Sequence, residues 1–101
     1  MRFGLNEDDF AFLHRNLIQP LRLKGLKVYI FGSRASGKNH PFSDVDILVE
    51  GDFDDDVDSE IFRIKEQFEE SNFPIKIDLV KSSDLAKSYQ ESVMSERVEI
   101  Y

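Results

Sequence analysis

Two acidic side chains interrupt what would otherwise be an apolar strand. In Asp44-Val45-Asp46-Ile47-Leu48-Val49, the aspartates stand at i and i+2. On a strand those positions face the same side, with their Cβ atoms about 7 Å apart. Two carboxylates held that close repel each other, and they spoil one face of a strand whose other residues are apolar. Asp78 repeats the anomaly within Lys76-Ile77-Asp78-Leu79-Val80. If the two strands are neighbours, Asp44, Asp46 and Asp78 form a three-carboxylate site, and shared cations would remove the repulsion. Oxygen ligands with open positions suit magnesium, which is a hard ion and keeps waters or phosphate oxygens. Such a site can hold two ions about 4 Å apart, an arrangement that activates an attacking oxygen and stabilises a leaving pyrophosphate.

The remaining pattern predicts helices packed on a small mixed sheet. Asn6 is placed to cap a helix with Glu7, Asp8 and Asp9 in its first turn, and Phe10, Leu13 and Leu17 recur at helical spacing. Pro20 is expected to end or kink that helix, and Gly25 to close the segment. Lys27–Phe31 reads as a strand. Residues 32–43 read as a loop with room for one helical turn, and Asp44–Val49 as a second strand. After a turn at Gly51–Asp56, Val57, Ile61, Ile64 and Phe68 mark a second helix that ends near Asn72. Ile75–Val80 reads as a third strand. Ser83 is placed to cap a third helix over Asp84–Met94, and Val98–Tyr101 to add an edge strand. The expected fold is a single α/β (α+β) domain over residues 1–101, ordered α-β-β-α-β-α-β.

Composition narrows the function classes. With 101 residues and 41% hydrophobic content the chain can build one core and is too apolar to be disordered. Cysteine is absent, which excludes disulfides and thiolate metal sites. The longest apolar runs are four residues, such as Val28–Phe31, too short for a membrane span, and the first residues lack a signal-peptide stretch. A soluble, cytoplasmic domain is expected. The net charge is −7, and seven acids with no base lie between Glu50 and Glu60, leaving 13 acids against 13 bases elsewhere. The acidity is therefore local. No direct nucleic-acid binding is expected of such a chain.

Two further motifs look catalytic and fail on inspection. Gly32-Ser33-Arg34-Ala35-Ser36-Gly37-Lys38 approaches a P-loop, but the hydroxyl that would hold magnesium is replaced by Asn39, and His40-Pro41 leaves no long helix to follow. Asp52, Asp54 and Asp56 have the spacing of a calcium loop. Val57 stands where the turn glycine belongs, and Arg63 where the bidentate glutamate belongs. A solvated acidic helix start explains that stretch better.

Gly32-Ser33, ten residues, Asp44-Val45-Asp46 and then Asp78 resemble the nucleotidyltransferase superfamily that includes DNA polymerase beta. The stretch Phe31–Gly37 followed by Ser43–Val49 is similar to the minimal nucleotidyltransferases of bacteria and archaea. The resemblance implies that Asp44, Asp46 and Asp78 are catalytic and hold two magnesium ions. It implies that Gly32 and Ser33 bind the β and γ phosphates of ATP or another nucleoside triphosphate. Arg34 would touch phosphate or pair with a nearby acid. Many members carry a second arginine where Ser36 stands, with Lys38 near enough to substitute. Minimal members are often encoded beside a small helical protein of the HEPN class, as toxin–antitoxin pairs. The resemblance thus implies transfer of a nucleoside monophosphate, most readily AMP, to a hydroxyl of that partner. Two alternatives stay open: a non-catalytic antitoxin that blocks its partner sterically, and a small-molecule transferase of the aminoglycoside-modifying kind.

Overall fold

A computed structural model describes residues 2–101. Four strands form one sheet in the order β3-β2-β1-β4, with β1 at Lys27–Phe31, β2 at Val45–Glu50, β3 at Ile77–Lys81 and β4 at Val98–Ile100. β1 pairs antiparallel with both β2 and β4, and β2 pairs parallel with β3. The sheet is therefore mixed. The two strands that carry aspartates lie side by side.

The first helix is longer than Pro20 suggests. α1 (Glu7–Leu13) is capped by Asn6, whose side chain accepts from the Asp9 N–H at 2.7 Å. It runs directly into a π-helical segment, His14–Ile18, and then into α2 (Gln19–Leu23). Proline has no N–H, and its ring crowds the carbonyl four residues back. The turn ahead of it widens instead of stopping: the Gln19 N–H reaches His14 O, five residues back. The helix ends where Gly25 (φ 84°) takes the left-handed conformation. There the Gly25 N–H bonds Arg22 O and the Leu26 N–H bonds Leu21 O, a Schellman pair.

α4 (Asp55–Glu70) starts on a cap made by Asp54, which accepts from the Val57 N–H at 2.8 Å. It buries Val57, Ile61, Ile64 and Phe68 along one stripe. That stripe and the first helix cover one face of the sheet, against Val28, Ile30, Val45, Ile47, Val49 and Leu79. The other face carries a smaller cluster of Tyr29, Leu48 and Val93, with Phe31 and Leu85 packed against it.

The third helix begins later than Ser83 predicts. Ser82–Asp84 form a single 3₁₀ turn, and α5 runs over Lys87–Glu96 from Ala86. α5 joins the β3 edge to the β4 edge and sets Val93 on the second face. Among the described residues no helix is long and apolar enough to cross a membrane.

Candidate active site

The second face of the sheet divides in two along the strands. One end is apolar, and the other carries the aspartates. Alternation along β2 sends Val45, Ile47 and Val49 into the main core, and Asp46 and Leu48 to the opposite side. In the β2–β3 register Asp46 stands opposite Asp78, and in the β1–β2 register it stands opposite Phe31. Asp44 precedes β2 by one residue. Asp46 is half-buried, while Asp44 and Asp78 are exposed.

The Asp46 carboxyl is held above the usual carboxylate range, first by burial and then by the negative charges of Asp78 and Asp44. The ammonium of Lys76 works in the other direction. Asp44 and Asp78 thus both act on the Asp46 carboxyl. Lys76 is a member of the site that the sequence reading passed over. Its signal was present, because it lies two residues before Asp78, just ahead of β3.

Gly32 closes the other wall. It links β1 to a one-turn helix, α3 (Ser33–Ser36), with φ 73° and ψ −155°. A Cβ built on it would lie 2.4 Å from Asp46 Oδ2. Only glycine combines that conformation with that approach. The main chain leading into half-buried Ser33 is consequently pressed against the carboxylate. Gly37 (φ 79°) ends α3 after one turn, so no long helix follows the glycine-rich stretch.

Arg34 corrects the sequence reading. Its side chain is only 2% exposed. The guanidinium donates to Ser43 O (3.0 Å), Phe3 O (2.9 Å) and Pro41 O (3.3 Å). Its hydrogen-bond partners are backbone carbonyls rather than a carboxylate. The fork geometry of arginine fits several carbonyls at once, so this residue braces the loop that delivers Asp44. His40 tightens the same loop, its N–H donating to Ser43 Oγ at 3.0 Å.

A divalent ion fits the chemistry of these donors: hard oxygens, mutual repulsion, and one carboxylate fixed by burial. Among the described residues no three acidic or imidazole side chains are already gathered around an ion position. Asp44 and Asp78, being exposed, are the two that would turn toward Asp46.

The model of the nucleotidyltransferase domain family matches residues 15–100. The chain belongs to the nucleotidyltransferase domain family. Among solved structures, a toxin–antitoxin crystal structure with AMP-PNP superposes with a TM-score of 0.62 at 23% identity, covering 96% of this chain and 73% of that one. A tyrosine-to-alanine variant of the MntA-HpeT toxin–antitoxin superposes with a TM-score of 0.61 at 25% identity, covering 96% and 72%. A variant of that complex with two aspartates changed to glutamate gives 0.61 at 21% identity, covering 96% and 73%. Among curated proteins none matches the chain. The α+β fold is thus that of the polymerase-beta-like nucleotidyltransferases, and the matched span includes Gly32, Ser33, Asp44, Asp46 and Asp78.

Proposed function

We propose that this nucleotidyltransferase transfers AMP from ATP, with magnesium, to a hydroxyl on a partner protein, and that it is the antitoxin of a toxin–antitoxin pair with a helical, HEPN-type toxin. The observation that carries the reaction is the register of Asp46 opposite Asp78 with Gly32 pressed against Asp46. The toxin–antitoxin complexes with this fold support the context.

Asp44, Asp46 and Asp78 would hold two magnesium ions. When bound, these would neutralise charge on the transferring phosphate and ease loss of the acceptor proton. Asp46, fixed by burial, sets the position of the set. The main chain at Gly32 and the Ser33 hydroxyl receive the β and γ phosphates. Asp78 is exposed at the sheet edge, where an acceptor can approach, and takes the proton of its hydroxyl. The acceptor oxygen bonds the α phosphorus, the bond from that phosphorus to the bridging oxygen breaks, and pyrophosphate leaves. Lys76 offsets part of the negative charge there.

Water must be kept from the reacting phosphorus, or ATP is merely hydrolysed. Asp44 and Asp78 are open to solvent, so exclusion falls to the acceptor protein itself. The test is pyrophosphate release with ATP, magnesium and the partner, together with intact-mass measurement of both proteins. Release coupled to a one-AMP mass gain on the partner supports the proposal. Tight binding of the partner with no mass gain would establish a steric antitoxin instead.

A further inference from the structure

Phe42 is the most exposed large apolar side chain among the described residues, at 81%. It stands two residues before Asp44, on a loop that is held firmly. His40-Pro41-Phe42-Ser43 is a tight turn with proline at its second position, and the Ser43 N–H donates to His40 O at 3.0 Å. The Phe42 N–H donates to His40 Nδ1 at 3.3 Å. Arg34 holds Pro41 O on one side of Phe42 and Ser43 O on the other. A ring fixed in place and open to solvent can stack on a planar ligand with little loss of conformational freedom.

Beside the ring is a hollow of about 400 Å³, the size of a small-ligand site. Pro41, Phe42, Pro74 and Ile75 make its apolar wall, and Asn39 and Asp9 stand in its polar one. Asn39 is fixed by the main chain beside it, since a Cβ on Gly4 would collide with Asn39 Nδ2. Its amide offers a ligand both donors and an acceptor. The wall has neither lysine nor arginine, and its one carboxylate, Asp9, opposes an anion. The hollow therefore does not suit a phosphate. It suits an uncharged planar ring with amino groups and ring nitrogens at its edge.

The hollow is also in the right place. Two residues of extended chain span at most about 7 Å, so Phe42 and Asp44 are no more than a ribose's length apart. Gly32, at the end of β1, and Pro74–Ile75, which lead into β3, flank β2 on opposite sides. We propose that the hollow is the nucleobase subsite of this chain: Phe42 stacks on the base of the nucleoside triphosphate and Asn39 hydrogen-bonds its edge, with adenine preferred. An asparagine amide matches the amino group and ring nitrogen of adenine as a bidentate pair. The nucleotide then lies across the strand ends, with its terminal phosphates at Gly32 and Ser33, its α phosphate at the aspartates and its base on Phe42. This inference rests on the phosphate and metal placement proposed above and assigns the part of the substrate that placement leaves open.

Titration calorimetry of the full chain with magnesium compares two probes, ATP and inorganic triphosphate, which lacks a base. Phe42→Ala should weaken ATP about tenfold and inorganic triphosphate less than about twofold, because only ATP can stack. Phe42→Trp should bind ATP within about twofold of the parent chain. Asn39→Ala should weaken ATP about threefold and reduce its preference over GTP. Phe62→Ala, on α4 and 63% exposed, should leave both probes unchanged. Circular dichroism checks that each variant folds. An equal loss for both probes in Phe42→Ala overturns the proposal, since the ring would then act only by shaping the Asp44 loop. So does an unchanged ATP affinity, and so does an unchanged ATP affinity joined to a loss of partner binding, which would make Phe42 a protein anchor. AMP transfer is scored separately. Transfer that persists with an ATP affinity insensitive to Phe42 sinks the subsite alone, and a base-dependent loss without any transfer by the parent chain sinks the catalytic reading alone.

Discussion

The Cβ that Gly32 lacks would lie 2.4 Å from Asp46 Oδ2. The same glycine sets the position of a carboxylate. Gly32→Ala therefore meets two obstacles, a clash and a φ of 73°. It should cost about 1–3 kcal/mol of stability, as strained backbone positions do. Nucleotide affinity should fall further than stability explains. Thermal melts with and without ATP and magnesium would check this; a variant whose ligand-induced shift matches the parent's would refute it.

Asp46 predicts a pH dependence. Its pKa is raised in the folded chain, so the folded state holds its proton more tightly than the unfolded one. Stability from this group is fully present below the unfolded carboxylate pKa. It is lost as pH climbs through the raised folded value. Asp46→Asn should melt higher than the parent at neutral pH without metal, and the difference should shrink toward pH 4. Denaturation midpoints across pH 4–8 would show it. A variant that melts lower at pH 7 would count against the assignment.

Arg34 was legible as a residue, while its role stayed open between phosphate and a nearby acid. Its place beside the Gly32-Ser33 pair suggests phosphate, and nothing local in the sequence shows that Phe3, Pro41 and Ser43 bring their carbonyls to it. Long-range carbonyl contacts leave no periodic trace. The paired strands, by contrast, were readable because aspartates in apolar runs contradict the pattern around them. Pro20 misled because proline usually stops a helix, and a π turn is set by packing that composition does not report. The start of α5 at Lys87 was missed because Ser83 makes a credible cap on its own.

Replacing Arg34 by Met should strip three carbonyls of their buried donor. A loss of about 2–4 kcal/mol is expected, since each unmet buried acceptor costs on the order of 1–3 kcal/mol with partial relief from water. Urea denaturation measures it. A variant of unchanged stability that binds nucleotide poorly would return Arg34 to the phosphate.

The acidic start of α4 yields a rate prediction. Asp54 is the cap, and asparagine caps as well as aspartate. Asp56 makes an exposed bridge to Lys24, a pair of small worth. Replacing Asp54, Asp55 and Asp56 together by Asn should therefore keep the fold within about 1 kcal/mol. Association with a basic partner should slow several-fold at low salt and converge with the parent at high salt. Stopped-flow traces at two ionic strengths decide the matter; equal rates at low salt would dismiss the steering role.

The brace made by Arg34 has a practical consequence at the other end of the chain. It ties Phe3 O to the carbonyls of Pro41 and Ser43, and so joins the first residues to the loop that presents Asp44. Leu5, close behind, is buried in the core at 1% exposure. Phe3 and the loop that presents Asp44 thus form one structural unit. A tag or deletion near Phe3, placed there as a harmless handle, would be transmitted to Asp44.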